Sequence, residues 1–95
     1  MIQSLKKRAL HRAKIIAGQM KSLEKQIDEE AYCMDILVQS LAIQKSLASL
    51  SKLVLENHLR THVTDAMSSG VEKTQQKALE ELLSLYELHN NRGRQ

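Results

Sequence analysis

"YCMDILVQSLAIQKSLASLSKLVLENHLRTHVTDAM", residues 32–67, decides the fold. Ile36, Leu37, Leu41, Ile43, Leu47, Leu50, Val54, Leu55, Leu59 and Val63 recur in it at helical spacing. No glycine or proline interrupts the run. The spacing predicts one helix of about 35 residues, on the order of 50 Å long. That exceeds the usual length of a globular helix, and such a helix needs a packing partner along its whole length.

Working outward, residues 4–27 carry a second helical stripe in Leu5, Ala9, Ile16, Met20, Leu23 and Ile27. Ser4 is placed to cap its start. The run "DEEA" at 28–31 breaks the stripe and brings acids to the next helix's N-terminus. Beyond the long helix, "SSG" at 68–70 ends it, and "SGVE" at 69–72 has the S-x-x-E spacing of a capping box. A third helix is expected from there to about Leu88, with Leu79, Leu82, Leu83 and Tyr86 as its apolar face. The polar tail, 89–95, is expected to be loose. The expectation is therefore a single all-α domain over residues 1–95, a three-helix protomer with a long second helix. The first helix covers only part of the second, so self-association is expected.

Composition agrees with helices. Hydrophobic residues make up 42% of the 95, yet Tyr32 and Tyr86 are the only aromatic ones, and proline is absent. An aliphatic core without large rings is thin for one short chain, which again favours an oligomer. The formal net charge of +3 is unevenly spread. Through Lys25 the cations Lys6, Lys7, Arg8, Arg12, Lys14, Lys21 and Lys25 face one acid, Glu24. A basic helix of this kind suits a polyanion such as nucleic acid, or is simply a solvated face. The single cysteine, Cys33, cannot form an intrachain disulfide and fits a reducing cytoplasm. No signal sequence or membrane-spanning run is expected.

Chemistry concentrates in "ENHLRTHV", residues 56–63. His58 and His62 stand one helical turn apart on one face. Leu59 follows the first histidine, so the metalloprotease motif, which needs glutamate there, is absent. No C-x-x-C precedes them, which excludes a zinc finger. Cys33 would add a thiolate, and one thiolate with two imidazoles is a plausible shell for a soft or borderline metal. The bland alternative for Cys33 is a buried packing thiol. Cys33 lies 25 residues before His58 on the same expected helix, a separation of roughly 37 Å. One straight helix cannot bring them to one ion. Either the helix is broken, for which the sequence offers no warrant, or Cys33 of one chain meets His58 and His62 of an antiparallel second chain. The two helices would then cross near residues 46–48, where "SLASLS" at 46–51 alternates small residues with leucine. A two-fold axis near Leu47 would generate two equivalent sites per dimer. No nucleophile–base pair or phosphate-binding loop appears, so an enzyme is not expected. A helical adaptor with incidental Cys and His is the competing class.

"GQM" at 18–20 after the basic helix, "EEAYCMDILVQSLAIQKSL" at 29–47 and "LENHLRTHV" at 55–63 resemble the CsoR/RcnR/FrmR family of all-helical transcriptional repressors. The likeness covers about residues 5–88. Its most specific part is a Cys, a His 25 residues later and a ligand position four further on, filled here by Cys33, His58 and His62. The resemblance implies an antiparallel dimer on the second helix, pairing into a homotetramer, which binds operator DNA and releases it on binding its inducer. It places Arg12 and Lys14 at DNA-contact positions, with Lys7 and Arg8 nearby. Ile15 and Gln44 stand where arginines are frequent in the family, with Lys45 beside the latter. Tyr32 and either Glu80 or Glu81 are implied to hydrogen-bond a ligand imidazole.

The family divides by ligand set. Copper(I) sensors usually carry Cys-His-Cys, whereas nickel and cobalt sensors and some copper sensors have His in the third position, as His62 is here. Nickel and cobalt sensors add an N-terminal histidine; Met1 stands there, and His11 is too far along the helix. Formaldehyde sensors need proline second, where this chain has Ile2, and persulfide sensors need a second cysteine at His58. Cu(I), content with three ligands, is the expected inducer, ahead of Ni(II), Co(II) or Zn(II), with an aldehyde- or redox-responsive member behind these. The expected function is a cytoplasmic metal-responsive repressor that controls metal efflux or resistance genes, with no small-molecule substrate and no membrane partner.

Overall fold

The computed structural model describes the backbone of residues 1–92 and the side chains of residues 1–89. Its elements are α1 (Gln3–Asp28), α2 (Cys33–His58), a π-helical turn (Leu59–Val63), α3 (Thr64–Ser68) and α4 (Glu72–Arg92). The fold is all-α with three helical segments, since α2, the π turn and α3 follow one another without a coil residue. Among the described residues there is no strand, and no helix is long and apolar enough to cross a membrane. The chain forms two compact units, Met1–Asn57 and His58–Gln95.

In the first unit α1 and α2 form an antiparallel hairpin. The Ile2 N–H donates to Asn57 Oδ1 at 2.8 Å, and Gln39 Nε2 donates to the Gln19 carbonyl at 3.4 Å. These pairs fix the register from the open end of the hairpin towards its fold at residues 29–32. Leu5, Ile16 and Ile43 are buried between the helices, with Asn57 the one buried polar residue among those described. Ile36, Ile43, Leu50 and Asn57 recur every seven residues on the α1 side of α2, buried or half-buried. The opposite side of α2 is different: Met34, Leu37, Val38, Leu41, Leu47 and Val54 are exposed. The apolar pattern of residues 32–67 thus combines two faces, one covered by α1 and one exposed in this unit.

The fold between α1 and α2 is a Schellman closure. Ala31 N–H donates to the Gln26 carbonyl at 2.9 Å and Glu30 N–H to the Ile27 carbonyl at 3.1 Å. This pattern places Glu30 in the left-handed region at φ 52°. At the other end α1 starts one residue earlier than expected, and Ser4 lies inside it; Ile2 holds the cap position without a side-chain cap.

The second unit packs α3 and the π turn against α4 through small residues, Ala66 and Ala78, both buried. The expected capping box does not form. The Ser69 hydroxyl instead donates to the Ala66 carbonyl at 2.7 Å and accepts from the Val71 N–H at 3.2 Å, closing α3 rather than opening α4. Gly70 at φ 72° then turns the chain. Gln75, Ala78 and Leu82 form the inward stripe of α4, whereas Leu79, Leu83 and Tyr86 of the expected apolar face are exposed. The helix α4 runs past the expected end at Leu88 to Arg92, into the stretch read as a loose tail, and residues 93–95 lie outside those described.

Glu30 pays the steric cost of left-handed geometry that glycine avoids. Glu30→Gly is therefore expected to stabilise the protein by about 1 kcal/mol. The expected rise in thermal midpoint is about 4–8 °C. A midpoint unchanged or lowered in a thermal melt would refute the assigned turn geometry.

Candidate metal centre and basic groove

His58 is the last residue of α2, and His62 lies in the π turn that follows. Their rings are 5.2 Å apart between centroids and tilted by 40°. His58 is half-buried and His62 exposed. Glu81 on α4 places Oε2 3.5 Å from His58 Nε2. In metal sites generally, a carboxylate that accepts from one ring nitrogen of a histidine orients the imidazole and leaves the other nitrogen as the lone-pair donor.

The uninterrupted α-helix expected through this region is corrected by the π turn. In it the backbone pairs five residues back rather than four. The Thr64 hydroxyl donates to the Leu59 carbonyl at 2.8 Å, which ties the wide turn from outside the backbone. The sequence carries a faint signal in "THVT" at 61–64, where three of four residues are β-branched and crowd the preceding turn. Hydroxyls that bond a carbonyl of the preceding turn bend helices in the same way. The turn widens the helix without ending it.

Cys33 is the first residue of α2 and is exposed, which removes the packing-thiol reading for the chain by itself. It shares one 26-residue helix with His58. At 1.5 Å per residue the helix holds them roughly 37 Å apart, against metal–ligand bonds of about 2.0–2.3 Å. Cys33 and His58 of one chain therefore cannot share an ion. Among the described residues, no group of three or more His, Cys, Asp or Glu in one chain is placed to hold a metal.

The other expected site residues separate clearly. The Tyr32 carbonyl accepts from the Asp35 and Ile36 N–H groups and opens α2, while its ring is exposed. Glu80 is exposed on the side of α4 that carries Glu72, Lys73, Gln76 and Lys77. Of the adjacent pair, Glu81 is the one at the histidine. Lys7, Arg8 and Arg12 line a groove of about 800 Å³ between α1 and α2, and the opposite wall adds Lys52 and Glu56. Lys14 and Lys45 are exposed outside it. Lys52 was missed from sequence because its place depends on the hairpin register. Once residue 2 faces residue 57, position 52 must face positions 7 and 8.

The family model for metal-sensitive transcriptional repressors matches residues 5–87, and the chain belongs to that family. Its relatives include the copper-sensing transcriptional repressor CsoR of Mycobacterium tuberculosis (strain ATCC 25618 / H37Rv), 35% identical over 78 residues. The match takes in 82% of this chain and 63% of that protein, so the chain spans less than two thirds of the mycobacterial relative's length. The CsoR of Bacillus subtilis (strain 168) is 34% identical over 76 residues, covering 80% of this chain and 72% of that one. Among solved structures, the copper-sensing repressor CsoR with Cu(I) from Geobacillus thermodenitrificans NG80-2 superposes with a TM-score of 0.82 at 29% identity. That superposition covers 95% of this chain and 90% of the other.

The contact of His58 with Glu81, and not with Glu80, gives a direct test. Glu81→Ala is expected to weaken metal binding at the histidine pair by about 10–100-fold, with Glu80→Ala close to wild type. Competition titration against a chelator of known affinity measures both. Equal losses in the two variants would show that the carboxylate acts only through general charge.

Proposed function

We propose that this chain is a Cu(I)-responsive transcriptional repressor, acting in the cytoplasm as an antiparallel dimer that pairs into a tetramer. The observation that carries the reading is the single helix with Cys33 at its start and His58 at its end. A thiolate and two imidazoles suit Cu(I), and the reach of the helix requires that they come from two chains. The exposed α2 face supports the pairing, because Leu41, Leu47 and Ala48 stand uncovered around the midpoint where two antiparallel copies would cross. The relatives named as copper-sensing repressors support the choice of metal and of partner.

In this reading Lys7, Arg8, Arg12 and Lys14 contact operator phosphates from α1, with Lys45 on α2 as a further contact. Phosphate neutralisation makes the affinity fall steeply with salt. Glu81 orients His58, and Cys33 of one chain with His58 and His62 of the other would hold the ion, which would supply a link between chains and favour one arrangement of the α2 pair. That arrangement holds the basic surface less well against DNA, and by linkage DNA weakens metal binding by the same factor. Release of the operator then derepresses metal efflux or resistance genes. His62 in the third ligand position favours a second reading, in which nitrogen-preferring Ni(II), Co(II) or Zn(II) is the inducer.

The test is a titration of reduced protein on a duplex that the protein itself selects from a random pool. Cu(I) is expected to release the DNA at lower free concentration than Ni(II), Co(II) or Zn(II), and Cys33→Ala is expected to abolish release. Normal release from Cys33→Ala by every metal would overturn the site. Release by Ni(II), Co(II) or Zn(II) ahead of Cu(I) would move the inducer to the second reading.

A further inference from the structure

We infer that Asn57 is a positioning residue that couples the metal ligand His58 to the DNA-binding helix α1; the inference rests on the repressor reading above. Asn57 directly precedes His58 and is 5% exposed. Its Oδ1 accepts the Ile2 N–H at 2.8 Å, across 55 residues of chain. The Ile2 carbonyl in turn accepts the Lys6 N–H at 2.9 Å, the first bond of the α1 ladder. Lys6 adjoins Lys7 and Arg8, two of the groove's cations. A short run of hydrogen bonds thus joins the residue before a ligand to the first turn of the basic helix.

The local sequence of α1 does not supply this anchor. Ile2 has no side chain able to cap the helix. The position three residues on, where a glutamate would reach back to the cap N–H, is Leu5, and it is buried in the hairpin core. The start of α1 is therefore held by a side chain from the last turn of α2. A shift of that last turn when His58 takes a ligand moves the acceptor of the Ile2 N–H. The first turn of α1 must follow or lose its anchor, and either outcome changes how Lys7 and Arg8 are presented. Breaking this part-buried bond carries a cost, so it favours joint movement of the start of α1 and the last turn of α2.

The experiment measures the coupling factor, the ratio of DNA dissociation constants with and without saturating Cu(I), on the duplex selected by the protein. Asn57→Ala is expected to lower this factor at least fivefold, the scale that one hydrogen bond differing between two states supplies. Asn57→Asp keeps the acceptor and is expected to hold the factor within about twofold of wild type. A purely structural role for Asn57 would lower the melting temperature and leave the factor unchanged, and that result overturns the inference. A readout on the unmutated protein stands beside the variants. The Ile2 amide exchange rate, followed by NMR, is expected to differ at least fivefold between the Cu(I)-loaded and metal-free protein. Equal rates overturn the inference even where Asn57→Ala fails to fold. Failure of Cu(I) to release DNA from the wild type would instead overturn the repressor reading on which the inference stands.

Discussion

The length of α2 is the constraint on which the proposed metal site depends. A helix of 26 residues puts its first and last side chains roughly 37 Å apart, and nothing in an α-helix shortens that. Cys33 stands at one end and His58 at the other. A soft-metal donor set split across such a rod is useless to one chain. It would become a site if a second copy lay antiparallel, because the cysteine end of each helix would then meet the histidine end of the other. In the proposed site the need for two chains follows from the reach of the backbone rather than from any feature of the metal.

The packing is consistent with that requirement. α1 covers one face of α2 and leaves Met34, Leu37, Val38, Leu41, Leu47 and Val54 exposed on the other. Burying a Val or Leu side chain fully contributes about 1.5–3 kcal/mol. Two copies closing this face against each other therefore gain on the order of 10 kcal/mol or more, enough to meet the 4–15 kcal/mol that association costs. The exposed Leu79, Leu83 and Tyr86 of α4 offer a second uncovered surface.

Much of this was legible in the sequence, and the omissions have physical causes. The helical spacing of residues 32–67 carried the fold class, and the 25-residue interval from Cys33 to His58 already excluded that one straight helix brings both to one ion. The π turn was not legible, because apolar spacing does not distinguish four-back from five-back pairing over a single turn. The roles of Ser4 and Ser69 were misread because hydroxyls at helix ends satisfy several alternative partners, and the structure uses Ser69 to close α3. The contact of Asn57 with Ile2 and the place of Lys52 in the groove were invisible because both come from the hairpin register, a tertiary fact. Glu80 and Glu81 could not be separated until the rotation of α4 was known.

The most direct test of the split site mixes two inactive variants. Cys33→Ala lacks the thiolate, and His58→Ala lacks an imidazole, so neither homodimer holds a complete site. Unfolded and refolded together in equal amounts, half of the dimers are mixed, and each mixed dimer regains one of its two sites. The account predicts recovery of about a quarter of the wild-type sites for Cu(I) in chelator competition. Recovery of no sites from the mixture, with mixed dimers present, would contradict a ligand set shared between two chains.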